Sequence, residues 1–208
     1  MILNKELYKA IKSNNNMITT AEVISLGFSR TLLSKYVKEG LLERCRQGVY
    51  ILPEEPQDDM YTLMLSSKKI VFSHDTALFL NGLSERTPFF HSLTIPSNSC
   101  LPNTIIDECK CYYIKPELHQ LGIIEKKNTF GNPVRCYDAE RTICDLLRSR
   151  SRVDEETVIS AIKNYAQSNT KNLKRLSDYA KLLKVDSSIK KYLEVLLWAQ
   201  RQWALKEE

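Results

Sequence analysis

The side chains best suited to chemistry in this sequence are basic and hydroxyl groups on one side of a predicted helix. Arg30, Thr31, Ser34, Lys35 and Lys38 recur at helical spacing. Guanidinium, ammonium and hydroxyl groups presented in this way bind base edges and phosphates in the major groove of DNA. We expect Arg30 and Thr31, which begin the helix, to reach base edges, and Lys35 and Lys38 to contact phosphates.

Five more residues complete the predicted DNA-binding set. Arg44, Arg46 and Gln47 lie near the tip of a predicted β-hairpin, a place suited to the neighbouring backbone or the minor groove. Thr20 and Ser29 stand where a hydroxyl can cap a following helix, and both are included in the set. The alternative is that the same surface contacts another protein.

The stretch from Ser29 to Leu52 holds the elements that must position these groups. Leu32, Leu33, Tyr36 and Val37 form an apolar stripe opposite the basic face, and Gly40 then ends the helix. Two strands follow, over residues 42–45 and 49–52, joined by a short turn. Predicted helices over residues 2–13 and 21–26 precede it. The order predicts a winged helix-turn-helix in about fifty residues.

Other charged residues suggest chemistry less strongly. His74 with Asp75 invites an acid–base interpretation, but no nucleophile stands near, so a buried or capping histidine is expected. Glu140, Arg141 and Asp145 are predicted to belong to a charged helix that braces the strands, with Arg141 and Asp145 forming an ordinary i, i+4 ion pair. We predict no catalytic residue, no metal site and no cofactor.

One enzymatic alternative stays open. Asp107, Glu108 and Lys110 resemble the acidic and lysine pattern of metal-dependent nucleases, in which carboxylates bind Mg²⁺ and the lysine steadies negative charge. Such triplets are common by chance.

The charge of the chain is uneven. Its 208 residues carry a formal net charge of +5. Residues 1–52 hold eight lysines and arginines against four acidic residues, and residues 163–191 hold eight against two. Basic regions of this kind favour phosphate-bearing partners, although a solvated helix face is the alternative. The predicted C-terminal basic surface comprises Lys163, Lys171, Lys174, Arg175, Lys181, Lys184, Lys190 and Lys191.

Hydropathy and cysteine usage place the protein in the cytoplasm. No stretch approaches the length of apolar sequence that spans a bilayer, and the first residues lack the pattern of a secretory signal. The six cysteines form no C-x-x-C pair, so reduced and mostly buried thiols are expected.

A polar, proline-containing stretch over residues 53–59 predicts a linker. We therefore place a winged helix-turn-helix domain with its linker at residues 1–57 and a second domain at 58–208. In the second domain, short predicted strands come first, and helices over residues 140–148, 155–167, 173–183 and 189–205 come last. The predicted class is α+β, a mixed domain that ends in a helical bundle.

Several motifs, in the same order along the chain, resemble the AbiEi-type antitoxins, also described as regulators of viral defence systems. The N-terminal segments look like that family's winged helix, with Gly48-Val49-Tyr50 closing the wing. Three later stretches look like its other motifs: residues 72–83 (FSHDTALFLNGL), residues 93–96 (LTIP) and residues 137–147 (YDAERTICDLL). Asp75 and Thr76 stand where the family pattern has two small polar residues.

The resemblance implies a type IV toxin–antitoxin system. Members of the family bind inverted repeats in their own promoter through the N-terminal domain and repress it. Their C-terminal domain neutralises a nucleotidyltransferase toxin, without a stable complex with that toxin. A monomer or weak dimer that binds DNA cooperatively is expected. The alternative is a transcriptional repressor whose second domain senses a ligand or dimerises.

Overall fold

The computed structural model describes residues 2–53 and 56–192, which contain helices and two β-sheets. The chain packs as two compact units, one of residues 1–70 with 127–134 and one of residues 71–126 with 135–208. The mixed α and β content predicted from the sequence is confirmed. Residues 58–70, which the predicted boundary places in the second domain, lie in the first unit. The predicted domain boundary after residue 57 is a statement about which segments fold independently. It stays a prediction.

The first unit alternates helices with very short strands. Its elements are α1 (Lys5–Ser13), β1 (Met17–Thr19), α2 (Thr20–Ser25), α3 (Arg30–Lys38), β2 (Glu43–Arg46), β3 (Val49–Ile51) and α4 (Asp59–Ser66). The strands form one antiparallel sheet in the order β1-β3-β2, with Ile18 opposite Tyr50 and Arg44 opposite the same residue. Strand β1 is absent from our sequence prediction, because three residues are too short for an alternating pattern.

Two predictions about helix starts in this unit are wrong. Helix α1 begins at Lys5, where the side chain of Asn4 accepts hydrogen bonds from the next turn, and Ile2 is 89% exposed. Helix α2 is capped by Thr19 and not by Thr20. Thr19 and Glu22 form a reciprocal capping box, in which each side chain bonds the other residue's backbone N–H.

A single apolar core holds the first unit together. Leu7 and Ile11 of α1, Val23 of α2, and Leu33 and Tyr36 of α3 are buried in it. Their spacing within each helix puts them on one side, so each helix turns its polar residues outward.

A buried carboxylate joins distant segments of the first unit. Asp58 is 2% exposed and caps α4 by accepting a hydrogen bond from the Tyr61 N–H at 3.0 Å. The side-chain amides of Asn128 and Asn132 also donate to its oxygens, at 2.6–2.8 Å. Asn15 in turn donates to the side-chain oxygen of Asn132. The stretch predicted as a polar linker therefore ends in a buried, fully hydrogen-bonded residue.

The second unit contains one sheet, with helices between its strands and after the last strand along the chain. Its strands are β4 (Val71–Phe72), β5 (His91–Pro96), β6 (Cys109–Ile114), β7 (Ile123–Lys127) and β8 (Pro133–Tyr137), in the order β6-β5-β4-β8-β7. The helices are α5 (His74–Leu80), α6 (Asn103–Glu108), α7 (Pro116–His119), α8 (Ala139–Arg148), a 3₁₀ turn (Arg150–Arg152), α9 (Glu155–Gln167) and α10 (Leu173–Leu182). Residues 186–192 are helical. The predicted last helix otherwise lies outside the described residues.

The core of the second unit is built around α8. Ile143, Cys144, Leu146 and Leu147 pack with apolar residues of α5, α9 and α10. Helix α9 has the bounds that its apolar spacing predicted. The sequence did not predict α6 and α7, which are short.

Among the residues that the structure describes, an arginine is the largest fully buried side chain. Arg141 bonds Asp145 at 3.0 Å and donates to the carbonyl oxygens of Leu118 and Leu121, each at 2.8 Å. Its guanidinium also lies 4.2 Å from the centre of the Tyr137 ring. The predicted Arg141–Asp145 pair is thus present but fully buried, and it ties α8 to the segment before β7. The few tenths of a kcal/mol expected of an exposed pair do not apply to it.

Gly122 lets the chain pass this arginine. Its φ is +79°, and a Cβ added there would lie 2.8 Å from Cβ of Arg141. Glycine is therefore required twice at this position, for its backbone conformation and for space.

We expect Gly122→Ala to destabilise the second unit more than Gly82→Ala does. Gly82 also has positive φ, at +69°, but open space around it, so it serves as a control for backbone strain. The additional loss from crowding should be about 1–3 kcal/mol in the free energy of unfolding. Urea unfolding of both variants measures it. Equal losses would contradict the structural role given to the contact with Arg141.

Candidate nucleic-acid interface

Helix α3 separates its residues into two faces. Leu33 and Tyr36 are 1% and 2% exposed, whereas the predicted DNA-binding residues of this helix are all exposed. At 100° per residue, Arg30, Thr31, Ser34, Lys35 and Lys38 fall on the side opposite the buried pair. The structure therefore brings these five side chains together on one solvent-facing surface.

Both ends of α3 are fixed by local hydrogen bonds. A four-residue turn, Leu26 to Ser29, joins it to α2, and the N–H of Phe28 donates to the carbonyl of Val23 at 3.1 Å. At the other end Gly40 has a φ of +70°, and the N–H of Leu41 reaches back to the carbonyl of Tyr36 at 2.9 Å. This is the Schellman arrangement, so the predicted stop at Gly40 is confirmed.

The two predicted capping residues have other contacts. Ser29 occupies the N-cap position of α3, but its hydroxyl lies 2.7 Å from that of Thr31 and caps no backbone N–H. Thr20 is half-buried, and its N–H donates to the carbonyl of Gly48 at 2.8 Å. That bond ties the start of α2 to the β2–β3 turn.

The β2–β3 hairpin does not present its three predicted residues equally. Arg44 and Gln47 are exposed. Arg46 is half-buried, and its Nε donates to the hydroxyl of Thr62 on α4 at 3.3 Å. Arg46 therefore anchors the hairpin to α4, which leaves Arg44 and Gln47 as the side chains that reach into solvent. The sequence offered no sign of this contact, since Thr62 is distant along the chain.

The predicted C-terminal basic surface is divided in the structure. Lys174 and Lys181 lie on the outer face of α10, with Lys163 exposed on α9. Arg175 instead lies 3.6 Å from a carboxylate oxygen of Asp138 at the start of α8. The remaining members are also exposed: Lys171, whose ammonium donates to the carbonyl of Ser168 at 3.1 Å, and Lys184, Lys190 and Lys191.

His74 is a buried structural residue, as expected. It is fully buried, its ring stacks on Tyr112 at 3.5 Å, and its two nitrogens lie 3.0 Å from the hydroxyls of Ser73 and Ser149. Burial, and after it the positive charges of nearby arginines with Arg148 first, together lower the pKa of His74 from 6.5 to about 3.

The three residues of the nuclease alternative, Asp107, Glu108 and Lys110, do not form a metal site within the described part of the chain. Lys110 pairs with Asp75 at 3.0 Å, and this bond raises the pKa of Lys110. Asp107 and Glu108 end helix α6, ahead of β6. Within residues 2–53 and 56–192, no group of three or more histidine, cysteine or acidic residues is placed to hold a metal ion.

Comparison with known proteins identifies the N-terminal part. Residues 5–53 match the family described as "Transcriptional regulator, AbiEi antitoxin". This confirms the resemblance noted in the sequence, and the match contains every predicted DNA-binding residue. No curated protein matches the sequence.

A solved structure supports the fold of most of the chain. The crystal structure of the RV2827C protein from Mycobacterium tuberculosis is similar with a TM-score of 0.59, over 92% of this chain and 79% of that one. At 10% sequence identity, this likeness concerns the fold alone.

No described helix is long and apolar enough to cross a membrane.

The low pKa of His74 predicts an acid-dependent loss of stability. The unfolded histidine takes up a proton near pH 6.5 and the folded one only near pH 3, so the unfolded state binds more protons between these values. Stability should fall as pH drops through 6.5 and level off, for this group, below 3. Urea unfolding of wild type and His74→Asn across this range should show a shallower slope in the variant. A His74 ring that titrates near pH 6.5 by NMR would contradict the assignment.

Proposed function

We propose that this chain, whose residues 5–53 match the family of AbiEi antitoxin transcriptional regulators, binds its own promoter through a winged helix-turn-helix and represses it. The observation that carries the proposal is the exposed polar face of α3. The order α1-β1-α2-α3-β2-β3 and the antiparallel sheet β1-β3-β2 support the winged arrangement. In it, α3 enters the major groove and the β2–β3 hairpin lies beside it on the DNA.

The roles within the interface follow from position and chemistry. Arg30 and Thr31, in the first turn of α3, read base edges. Lys35 and Lys38 bind phosphates, as does Arg44 at the hairpin, while Ser34 and Gln47 add hydrogen bonds. The operator consists of inverted repeats, and monomers or weak dimers occupy its two halves cooperatively.

We also propose that the second unit neutralises a nucleotidyltransferase toxin without forming a stable complex with it. The exposed lysines of α9, α10 and residues 184–191 are the candidate surface. The support is the match of residues 5–53 to the AbiEi antitoxin family, together with the resemblance of residues 137–147 to a motif of that family.

A second candidate keeps the repressor and replaces the antitoxin role with ligand sensing. The observation in its favour is a groove of about 640 Å³ beside α9, within the usual size of a ligand site. Asn81, Arg86, Glu156 and Asn164 are among its lining residues. Protection from the toxin, tested independently of transcription, separates the two candidates.

The α3 surface can be tested by comparing base-reading and phosphate-binding residues. Arg30→Ala should reduce discrimination between promoter and unrelated duplex, by ~1–3 kcal/mol if a bidentate base contact is lost. Lys35→Ala should instead weaken binding to every duplex and reduce the slope of log K against log salt by about 1. Fluorescence anisotropy over a salt series measures both quantities.

Lys115→Ala, which removes an exposed lysine of the second unit outside the proposed basic surface, is the control for loss of one positive charge. If Arg30→Ala and Lys35→Ala both bind promoter DNA like the wild type, the proposed interface is wrong.

A further inference from the structure

Helix α1 carries a row of lysines that the DNA-binding set does not contain. Lys5, Lys9 and Lys12 are exposed and follow at i, i+4 and i+7. At 100° per residue they fall within about 60° of one another around the helix axis. The buried Leu7 and Ile11 lie on another side, so the three ammonium groups share one outward stripe. Tyr8 borders it and is 46% exposed.

The stripe begins beside the proposed recognition helix. The backbone N–H of Asn4 donates to the phenol oxygen of Tyr36 on α3 at 3.1 Å. Lys5 is the next residue, so the row of lysines begins directly after the residue that contacts the Tyr36 side chain. Both helices are also packed in the same core, through Leu7, Ile11, Leu33 and Tyr36.

The dimensions of the stripe suit a phosphate backbone. Seven residues of α-helix rise about 10 Å between Lys5 and Lys12. Charges along one strand of B-DNA recur about every 3.4 Å of helix axis, so this length corresponds to about three phosphates. Glu6, the acidic residue of this helix, is turned about 60–120° away from the three lysines.

We propose that Lys5, Lys9 and Lys12 form a second contact with duplex DNA, on the sugar–phosphate backbone flanking the segment read by α3. This deepens the proposed function and rests on it. The contact adds affinity and sets orientation, and it carries no base preference, because lysine meets phosphates as a point charge.

Salt dependence distinguishes this contact from a solvated helix face. For the full chain, Lys5→Gln/Lys9→Gln should reduce the slope of log K against log salt by about 1.8, since each phosphate contact contributes about 0.9. The reduction should be equal for promoter duplex and for an unrelated duplex of the same length. Lys5→Arg/Lys9→Arg should keep the wild-type slope.

The matched control is Lys68→Gln/Lys69→Gln, which removes two exposed positive charges from the same unit. An unchanged slope in the α1 variant, or an equal reduction in the control, would overturn the inference. Either result leaves the proposed function standing if Arg30→Ala still loses promoter discrimination. Failure of the wild type to bind any duplex would instead contradict the proposed DNA-binding function. Because the mutated side chains are exposed, the variants should unfold at the wild-type urea concentration.

Discussion

The packing of helix α3 determines which side chains the first unit exposes to solvent. Leu33 and Tyr36 occupy the core, and Tyr36 also accepts a hydrogen bond from Asn4, so α3 cannot rotate without losing both burial and that bond. Complete burial of a leucine-sized side chain stabilises a fold by about 1.5–3 kcal/mol. The same constraint leaves Arg30, Thr31 and Lys35 in solvent. The exposure of the proposed DNA-binding face is therefore a consequence of how the opposite face packs.

The second unit differs in that it buries several charged side chains. Asp138 caps α8 while Glu140 accepts hydrogen bonds from the Tyr165 hydroxyl at 2.9 Å and from the Asn172 N–H at 2.9 Å. Arg141, one residue later, donates hydrogen bonds to two carbonyl oxygens and to Oδ2 of Asp145. Removing one partner from such an arrangement leaves an uncompensated buried charge, so we assign the motif at residues 137–147 a structural role. The antitoxin activity that we propose would then involve exposed lysines of this unit, and the buried motif would hold their helices in place.

Local patterns were sufficient for some features and silent on others. The apolar spacing of α3, its stop at Gly40 and the bounds of α9 are short-range properties, and the sequence predicted them. Asp58 was interpreted as part of a linker because its partners, Asn128 and Asn132, are about seventy residues away. The same limit concealed the contact of Arg46 with Thr62. The lysine row of α1 was readable from its spacing, since it needs only the helix period.

We propose that one chain carries a DNA-binding regulator and an antitoxin that work separately. Growth is measured during expression of the cognate nucleotidyltransferase from an unrelated promoter, with this chain supplied from another. Wild type and Arg30→Ala/Lys35→Ala should protect equally, because protection does not require promoter binding. Absence of protection by the wild-type chain, at confirmed expression, would contradict the antitoxin role and favour the ligand-sensing repressor.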